Sequence, residues 1–409
     1  MKKLFSFAGN KEIHPLQMGL FILIELLLIF GKEFSKFHLF SFFYLYDVLF
    51  FLLGFWAFIL ILIRRKFTFH WPLVAMIVIS IIYLVWSYFM QVGPLNYMVR
   101  HYALFLYLII FYIIYESFID EKYHRTNIRF IILIGFFGTI FHIGHLIYKY
   151  IVNGELNLFG EFNYNSYMTI MGVVIFCAWA ITYPKKIRYK IIFYVGGLLL
   201  STTIGHASAF FASFAIGAFY IISYAFKQMK IQLAISFVLL VICFRIFVPS
   251  FSDDNSEWRL IYWKHILIEQ FTENYGIMGK GFGGNFVKEG LMEEMKKDLN
   301  QNVFDFLPEE RLLSPPHNSF ITIIFHIGFL PGLLLLLPLR DPYQYFMRGH
   351  KNERFRVKDM ILFSFVGLSV WSSFNVILEL PHSSAFFWLV YFTLIFEFRK
   401  GEKKIAEEN

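Results

Sequence analysis

The residues best suited to chemistry lie on either side of a run of glycines in the second half of the chain. Arg259 and Trp263 stand four residues apart, and His317 follows Pro315-Pro316 directly before an apolar stretch. Histidine suits proton transfer near neutral pH because its unperturbed pKa is about 6.5. Arginine binds phosphate oxygens through a planar, bidentate fork. A base and a phosphate-binding cation are the roles that these residue types offer.

Each of these residues also has a purely structural interpretation. His317-Asn318-Ser319 after two prolines is an ordinary helix-capping sequence. Arg259 can pair with Glu257 or Asp254 on a solvated helix face, and Trp263 can serve as interfacial packing. From the residues alone, both interpretations stay open.

The glycine run begins at Gly279 and ends at Gly284, and it formally matches G-x-G-x-x-G. No strand precedes it and no βαβ unit surrounds it, so the pattern does not indicate a dinucleotide site. The alternatives are a tight turn that lets backbone approach a substrate and simple loop flexibility. Lys280 and Gly281 are the candidate substrate contacts within it.

The elements that must position these residues are predicted to be membrane helices. Hydrophobic residues make up 58% of the 409, the mean hydropathy is +0.58, and only 16% are charged, whereas soluble domains average about 25% charged. Apolar runs of roughly 17 to 25 residues recur, which is the length that crosses the hydrocarbon core as a helix. This composition excludes a soluble multidomain protein.

The predicted fold is an all-α polytopic bundle of about twelve transmembrane helices that forms one domain, 1–409. A long extracytoplasmic loop, 250–316, contains short helices of its own and joins the ninth and tenth helices. No cleavable signal is expected. The predicted helices are 15–31, 38–63, 69–90, 102–118, 127–150, 166–183, 190–204, 207–226, 231–249, 317–338, 360–378 and 384–398.

The positive charges predict the orientation in the plasma membrane. Alternate connections carry 25 of the 37 basic residues, and cytoplasmic loops are the ones enriched in lysine and arginine. Both termini are therefore predicted to be cytoplasmic, with the segment 250–316 and the candidate site outside. The net charge of +8 follows from this topology and requires no nucleic-acid partner.

Further candidates come from ionisable residues at or within the predicted helices, where charge is costly. Arg245, in the outer third of the ninth helix, either reaches a substrate phosphate or extends to the interface. Arg100 is a second cation on the outer side. Cys177 and Cys243 fall inside helices and indicate neither a disulfide nor a metal site. The first outer connection, 32–37, has a single acidic residue and no Asp-x-Asp pair, so it offers no obvious ligands for a divalent cation.

The order and spacing of these elements resemble the O-antigen ligase and polymerase family. The resemblance is carried by Arg259 and Trp263, the run Gly279–Phe286, the sequence His317-Asn318-Ser319-Phe320, and Gly328. Upstream, the Asn-containing turn that ends at Asn165 and the segment Ser201–Ser208 match more loosely. His206 stands in that segment where the family carries an arginine.

The resemblance implies a membrane glycosyltransferase without a cofactor. It implies transfer of a glycan chain from undecaprenyl pyrophosphate onto a sugar hydroxyl of another lipid-linked repeat unit, in capsular, exopolysaccharide or O-antigen synthesis. His317 would be the base and Arg259 the pyrophosphate contact. The other candidate substrate contacts are Asn318, Arg245, His206, Arg100, Lys280, Trp263, Gly281 and Asn165.

The implied partners are the lipid-linked donor and acceptor, membrane lipid, and a chain-length regulator and flippase of the same pathway. A ligase that transfers finished polymer to a different acceptor fits the same residues. From other classes, a lipid-linked oligosaccharide flippase or a secondary transporter fits the helix count, but such proteins tend to have repeats and short loops. A scaffold leaves the His-Asn element unexplained.

Overall fold

The computed structural model describes residues 13–35, 38–40, 43–64, 67, 70–117, 121–154, 167–204, 207–224, 232, 235–236, 254–272, 276–286, 315–348 and 356–408. Within these ranges the regular secondary structure is helical apart from one antiparallel hairpin, β1 (His38–Phe40) and β2 (Phe43–Tyr44). The first eight helices are α1 (Pro15–Ser35), α2 (Leu45–Arg64), α3 (Trp71–Phe89), α4 (Leu95–Ser117), α5 (Glu121–Asn153), α6 (Tyr167–Thr182), α7 (Ile187–Thr202) and α8 (Ala207–Tyr224). The remaining helices are α9 (Asp254–Thr272), α10 (Ser319–Ile327), α11 (Phe329–Gly332), α12 (Arg340–Arg348), α13 (Arg356–Ser372) and α14 (Pro381–Glu408).

The apolar helices indicate a membrane-embedded protein. Four are long and apolar enough to cross a bilayer, and they span Leu45–Arg64, Trp71–Phe89, Leu95–Ser117 and Tyr123–Val152. Shorter apolar helices run over Pro15–Leu27, Thr169–Thr182, Ala207–Ser223 and Ser383–Phe398. The all-helical membrane class therefore agrees with the sequence prediction, whereas the number of spans stays a prediction.

Several predicted boundaries were wrong. The second helix begins at Leu45 and not at 38, because the hairpin occupies the preceding residues. The fourth begins at Leu95, where the Pro94 carbonyl accepts hydrogen bonds from the first turn. The break predicted at 205–206 does separate α7 from α8. The predicted ninth helix, 231–249, lies almost entirely outside the described residues.

The tenth predicted helix, 317–338, is not continuous. Gly328 has φ +90° and ends α10, and Pro331 and Pro338 follow within α11 and two short 3₁₀ turns, Leu333–Leu335 and Leu337–Leu339. The amide of Phe329, which has no partner in the preceding turn, donates to the Gly276 carbonyl at 3.1 Å. The segment 276–286 therefore takes part in the break.

Different contacts join the helices at the two ends of the bundle. At one end, the Arg64 guanidinium donates to the Ser117 carbonyl at 2.6 Å, and His124 contacts Glu397, so α2, α4, α5 and α14 meet there. At the other end, the Asn375 amide donates to Ser208 Oγ at 3.0 Å, which joins the start of α8 to the turn between α13 and α14. We call the second the His317 end, because the His317 turn lies there.

Candidate functional site

The His317 turn, residues 315–319, has a strained backbone. His317 has φ +52°, and its amide donates to the Pro315 carbonyl at 2.8 Å. Asn318 is extended, with φ −151°, and its Oδ1 accepts from the amides of Phe320 and Ile321 at 3.1 Å each. Asn318 is therefore a regular N-cap of α10. Left-handed φ values are uncommon outside glycine and concentrate at functional sites.

Helix α9 places Arg259 and Trp263 against this turn. The two residues are one helical turn apart and so share a face. The Trp263 indole N–H donates to the Pro316 carbonyl, and its ring lies 5.9 Å from the Phe374 ring, centroid to centroid. Arg259 Nη1 donates to the Phe374 carbonyl at 3.3 Å. Three segments that are far apart in sequence, around 259–263, 315–319 and 374, therefore meet at the His317 end.

A buried polar network lies directly behind the turn. Ser319 Oγ donates toward the Glu379 carboxylate and the Asn375 carbonyl, and it accepts from the amides of Ile377 and Leu378 at 3.0 and 3.1 Å. Ser319 is completely buried, as is almost all of Asn375 and Glu379. Buried polar groups that are satisfied by one another hold a single geometry. The network fixes the residue that follows His317-Asn318 to the α13–α14 turn.

Glu379 is the ionisable member of this network. Burial raises the pKa of its carboxyl above the ordinary value of 4.5, while the hydrogen bond from Ser319 acts in the opposite direction. Sequence reasoning missed Glu379 and Asn375. A signal for them existed, because two polar residues four apart interrupt the apolar boundary between the last two predicted helices.

The glycine segment forms a second cluster, between α3, α4 and α10. Gly281 has φ +79°, its amide donates to the His326 carbonyl at 3.1 Å, and its carbonyl lies 2.7 Å from His326 Nδ1. The amide of Phe282 donates to Ser87 Oγ at 2.8 Å, and that of Gly283 donates to His101 Nδ1 at 3.1 Å. We call residues 279–284 the glycine turn. Its polar contacts are with the protein's own helices.

This cluster is separate from the His317 turn. Lys280 donates its backbone N–H to the Phe325 carbonyl at 2.8 Å, and its ammonium contacts the Glu269 carboxylate. From Ser319 to Phe325, α10 rises about 9 Å, so its length lies between the two clusters. The charge of Lys280 is directed to Glu269.

The remaining predicted contacts are distributed elsewhere. The Arg100 guanidinium lies 5.4 Å from the centre of the Tyr44 ring, which ends β2 directly before α2, and not at the His317 turn. Arg245, His206 and Asn165 lie outside the described residues. Ser208, two residues after His206, does belong to the network through Asn375.

Within the described ranges, no group of three or more His, Cys, Asp or Glu side chains is arranged to hold a metal ion. The arrangement brings together a histidine on a strained turn, an arginine on the facing helix and a buried carboxyl behind them. Neither the comparison with protein-family models nor the comparison with curated proteins gives a match for this chain.

Proposed function

We propose that this chain is a membrane glycosyltransferase of the O-antigen ligase and polymerase type. It transfers a glycan chain from undecaprenyl pyrophosphate onto a sugar hydroxyl of another lipid-linked repeat unit. His317 is the general base and Arg259 is the cation that binds the leaving pyrophosphate. The residues involved lie on one end of the bundle, which the proposal assigns to the extracytoplasmic face.

One observation supports this proposal more than any other: α9 packs against the His317 turn. Arg259 and Trp263 contact residues 374 and 316, although more than fifty residues separate them from either partner in sequence. These are the elements on which the family resemblance rests. A chance match of loose motifs gives no reason for them to meet.

The reaction balances with these groups alone. The acceptor hydroxyl loses its proton to the His317 imidazole while its oxygen forms a bond to the anomeric carbon of the donor sugar. The bond from that carbon to the pyrophosphate oxygen breaks, and the negative charge that develops there faces Arg259. The hydrogen bond from Arg259 to the Phe374 carbonyl orients the guanidinium without neutralising its charge, because a carbonyl is a neutral acceptor.

The proposal includes the topology and partners that the sequence predicts. About twelve helices span the plasma membrane, both termini are cytoplasmic, and the loop 250–316 lies outside. The lipid-linked donor and acceptor reach the His317 end from the membrane. A flippase supplies them, and a chain-length regulator acts with the enzyme. A ligase that uses a different acceptor is the alternative within the same chemistry.

A second class, a flippase or secondary transporter, has one observation in its favour. Helix α10 ends at Gly328 inside an otherwise apolar segment, and discontinuous membrane helices are typical of transporters. At this break, however, the Phe329 amide donates to Gly276 and the His326 carbonyl accepts from Gly281. Backbone groups that a transported substrate would need are thus used by the protein itself.

The deciding experiment uses purified protein in proteoliposomes with lipid-linked repeat units. We expect a ladder of longer lipid-linked glycans, and we expect His317→Ala to abolish the ladder while donor still binds. Transfer only to an added non-polyprenyl acceptor would establish the ligase. Movement of the lipid-linked unit between leaflets without any new glycosidic bond would exclude a transferase and establish the transporter class.

A further inference from the structure

An apolar groove lies on the outside of the bundle, between α8, α12 and α13. Its volume is about 400 Å³, within the range of ligand pockets, which is roughly 300 to 1,000 Å³. Its walls are aromatic and aliphatic and include Phe219, Leu336, Leu339, Phe346, Leu362 and Phe365. Leu336 is half exposed, so one side of the groove is open.

Arg340 is the single charged residue among those described around this groove. Its side chain is exposed, and within the described ranges it forms no ion pair with a carboxylate. The neighbouring Asp341 is the next residue on α12, and successive helical side chains point in directions about 100° apart. A cation therefore stands at the edge of an apolar groove.

The groove lies at the end of the bundle opposite to the His317 turn. Tyr345 on α12 donates to Asp359 at the start of α13 at 2.8 Å, and its ring meets the Phe398 ring late in α14. The sequence around α12 is strongly basic, with six Lys or Arg and two acidic residues over 340–358. Clusters of four to eight basic residues next to a membrane helix attract anionic lipid headgroups.

We propose that this groove binds an anionic phospholipid, with one acyl chain against the apolar walls and the phosphate on Arg340. The apolar lining accounts for the chain, and the cation at its edge accounts for the preference for a negative headgroup. An apolar surface without the cation would bind bilayer lipids with the same affinity whatever their headgroup. The prediction therefore concerns selectivity for the headgroup. It is independent of the proposed glycosyl transfer.

The test measures lipid binding to the purified protein in neutral detergent by native mass spectrometry, with melting temperature as a second readout. The probes are phosphatidylglycerol and phosphatidylcholine with identical acyl chains. We expect phosphatidylglycerol to bind more tightly and to raise the melting temperature more. Arg340→Gln should weaken phosphatidylglycerol about fivefold, because one basic residue near an anionic headgroup contributes about that factor. It should weaken phosphatidylcholine less, because the choline ammonium already compensates the phosphate of that lipid.

Two further variants make the result decisive. Arg188→Gln removes an exposed guanidinium that lies over the Tyr189 ring and is not among the residues that line the groove, so it should preserve the preference. Leu336→Trp fills the open side and should weaken both lipids. Equal binding of the two lipids by the wild type, or an unchanged preference in Arg340→Gln, would refute the proposal. If inorganic phosphate raised the melting temperature as much as phosphatidylglycerol does, the proposal would also be refuted, since the acyl chain would then contribute nothing.

Discussion

At the residue scale, the His317 turn shows which residue of the His-Asn pair caps the helix, a question that the sequence left open. Asn318 caps α10, as its position after two prolines suggested, and this uses Oδ1 for the amides of Phe320 and Ile321. His317 lies one residue before the cap, and its backbone is in the left-handed region, with φ +52°. The structural interpretation is thus confirmed for Asn318, while the role of His317 stays a prediction.

If His317 is the base, His317→Ala should lower the rate of glycan elongation by about 10²- to 10⁴-fold while donor affinity changes little. Arg259→Lys keeps the charge but loses the bidentate fork, so it should slow elongation, and Arg259→Ala should also weaken donor binding. Single-turnover rates and donor affinity of the purified variants are the measurements.

His145→Ala is the matched control, because that histidine lies on α5 and not in the His317 turn. Equal membrane abundance of all variants excludes misfolding as the cause. A His317→Ala protein with the wild-type elongation rate would reduce this residue to part of a turn and remove the base from the mechanism.

Glu379 gives a pH dependence whose sign follows from its burial. Its folded pKa is raised above the ordinary 4.5, so the folded state holds the proton more tightly than the unfolded state. The stability that this provides is complete below the unfolded pKa and is lost as pH rises toward the folded pKa. Glu379→Gln stays neutral, so its melting temperature should fall less than that of the wild type as pH rises above the ordinary carboxyl pKa of 4.5.

The control for this scan is Asp341→Asn, a carboxyl on α12 outside the network. It should follow the wild-type pH profile. Superimposable profiles for the wild type and Glu379→Gln would show that this carboxyl does not bind its proton more tightly on folding.

At the element scale, the sequence predicted the existence of helices better than their continuity. Length and hydropathy located α3, α6 and α8 within a few residues. The break at Gly328 was missed because its cause is tertiary: a Cβ there would lie 2.2 Å from the Ile277 carbonyl oxygen. Hydropathy averages over such a position, since the residues on both sides are equally apolar.

The same limit applies to the candidate site. The order of the motifs led to Arg259, Trp263 and His317, and the structure brings these together. Sequence gave no way to learn that Lys280 contacts Glu269 or that Arg100 faces Tyr44, because the partner of a charged side chain is set by packing. Asn375 was missed although its polarity was visible in the sequence, because its partners Ser208 and Ser319 are distant in sequence.

The glycine turn provides a prediction about α3. A Cβ on Gly281 would lie 2.3 Å from Ser87 Oγ and 2.9 Å from the Trp86 ring, at a φ that disfavours any side chain. Gly281→Ala should therefore destabilise the protein by about 1 to 3 kcal/mol. Gly196→Ala, on α7 with no atom near the added methyl, should instead be neutral or slightly stabilising. Melting temperatures of the two variants decide this, and equal values would contradict the packing of the turn.

At the scale of the whole molecule, the two ends of the bundle predict a sidedness. The helix termini that meet around Arg64, Ser117 and Glu397 form one end of the bundle. The connections at this end carry the excess of basic residues. The charge rule predicts that this end is cytoplasmic and that the His317 end is outside.

A reporter enzyme that works only outside the cytoplasm tests this sidedness. Fused after Lys288 it should be active, and fused after Lys351 it should be silent. A reporter active only in the cytoplasm should give the opposite pair of results. Activity at Lys351 and silence at Lys288 would invert the topology and place the proposed site on the wrong face for extracytoplasmic polymerisation.

The long reach of the glycine turn sets an order of events during biosynthesis. Its partners, Tyr83, Ser87 and His101, are synthesised about 180 to 200 residues earlier, and they accept hydrogen bonds from backbone amides of residues 279–283. A nascent chain that ends near residue 275 has completed α3 and α4 but leaves these polar groups without their later partners. We expect Ser87→Cys to react with a thiol reagent in that truncated chain and to be protected in the full-length protein. The final packing of α3 and α4 is thus expected only after the glycine turn has been made.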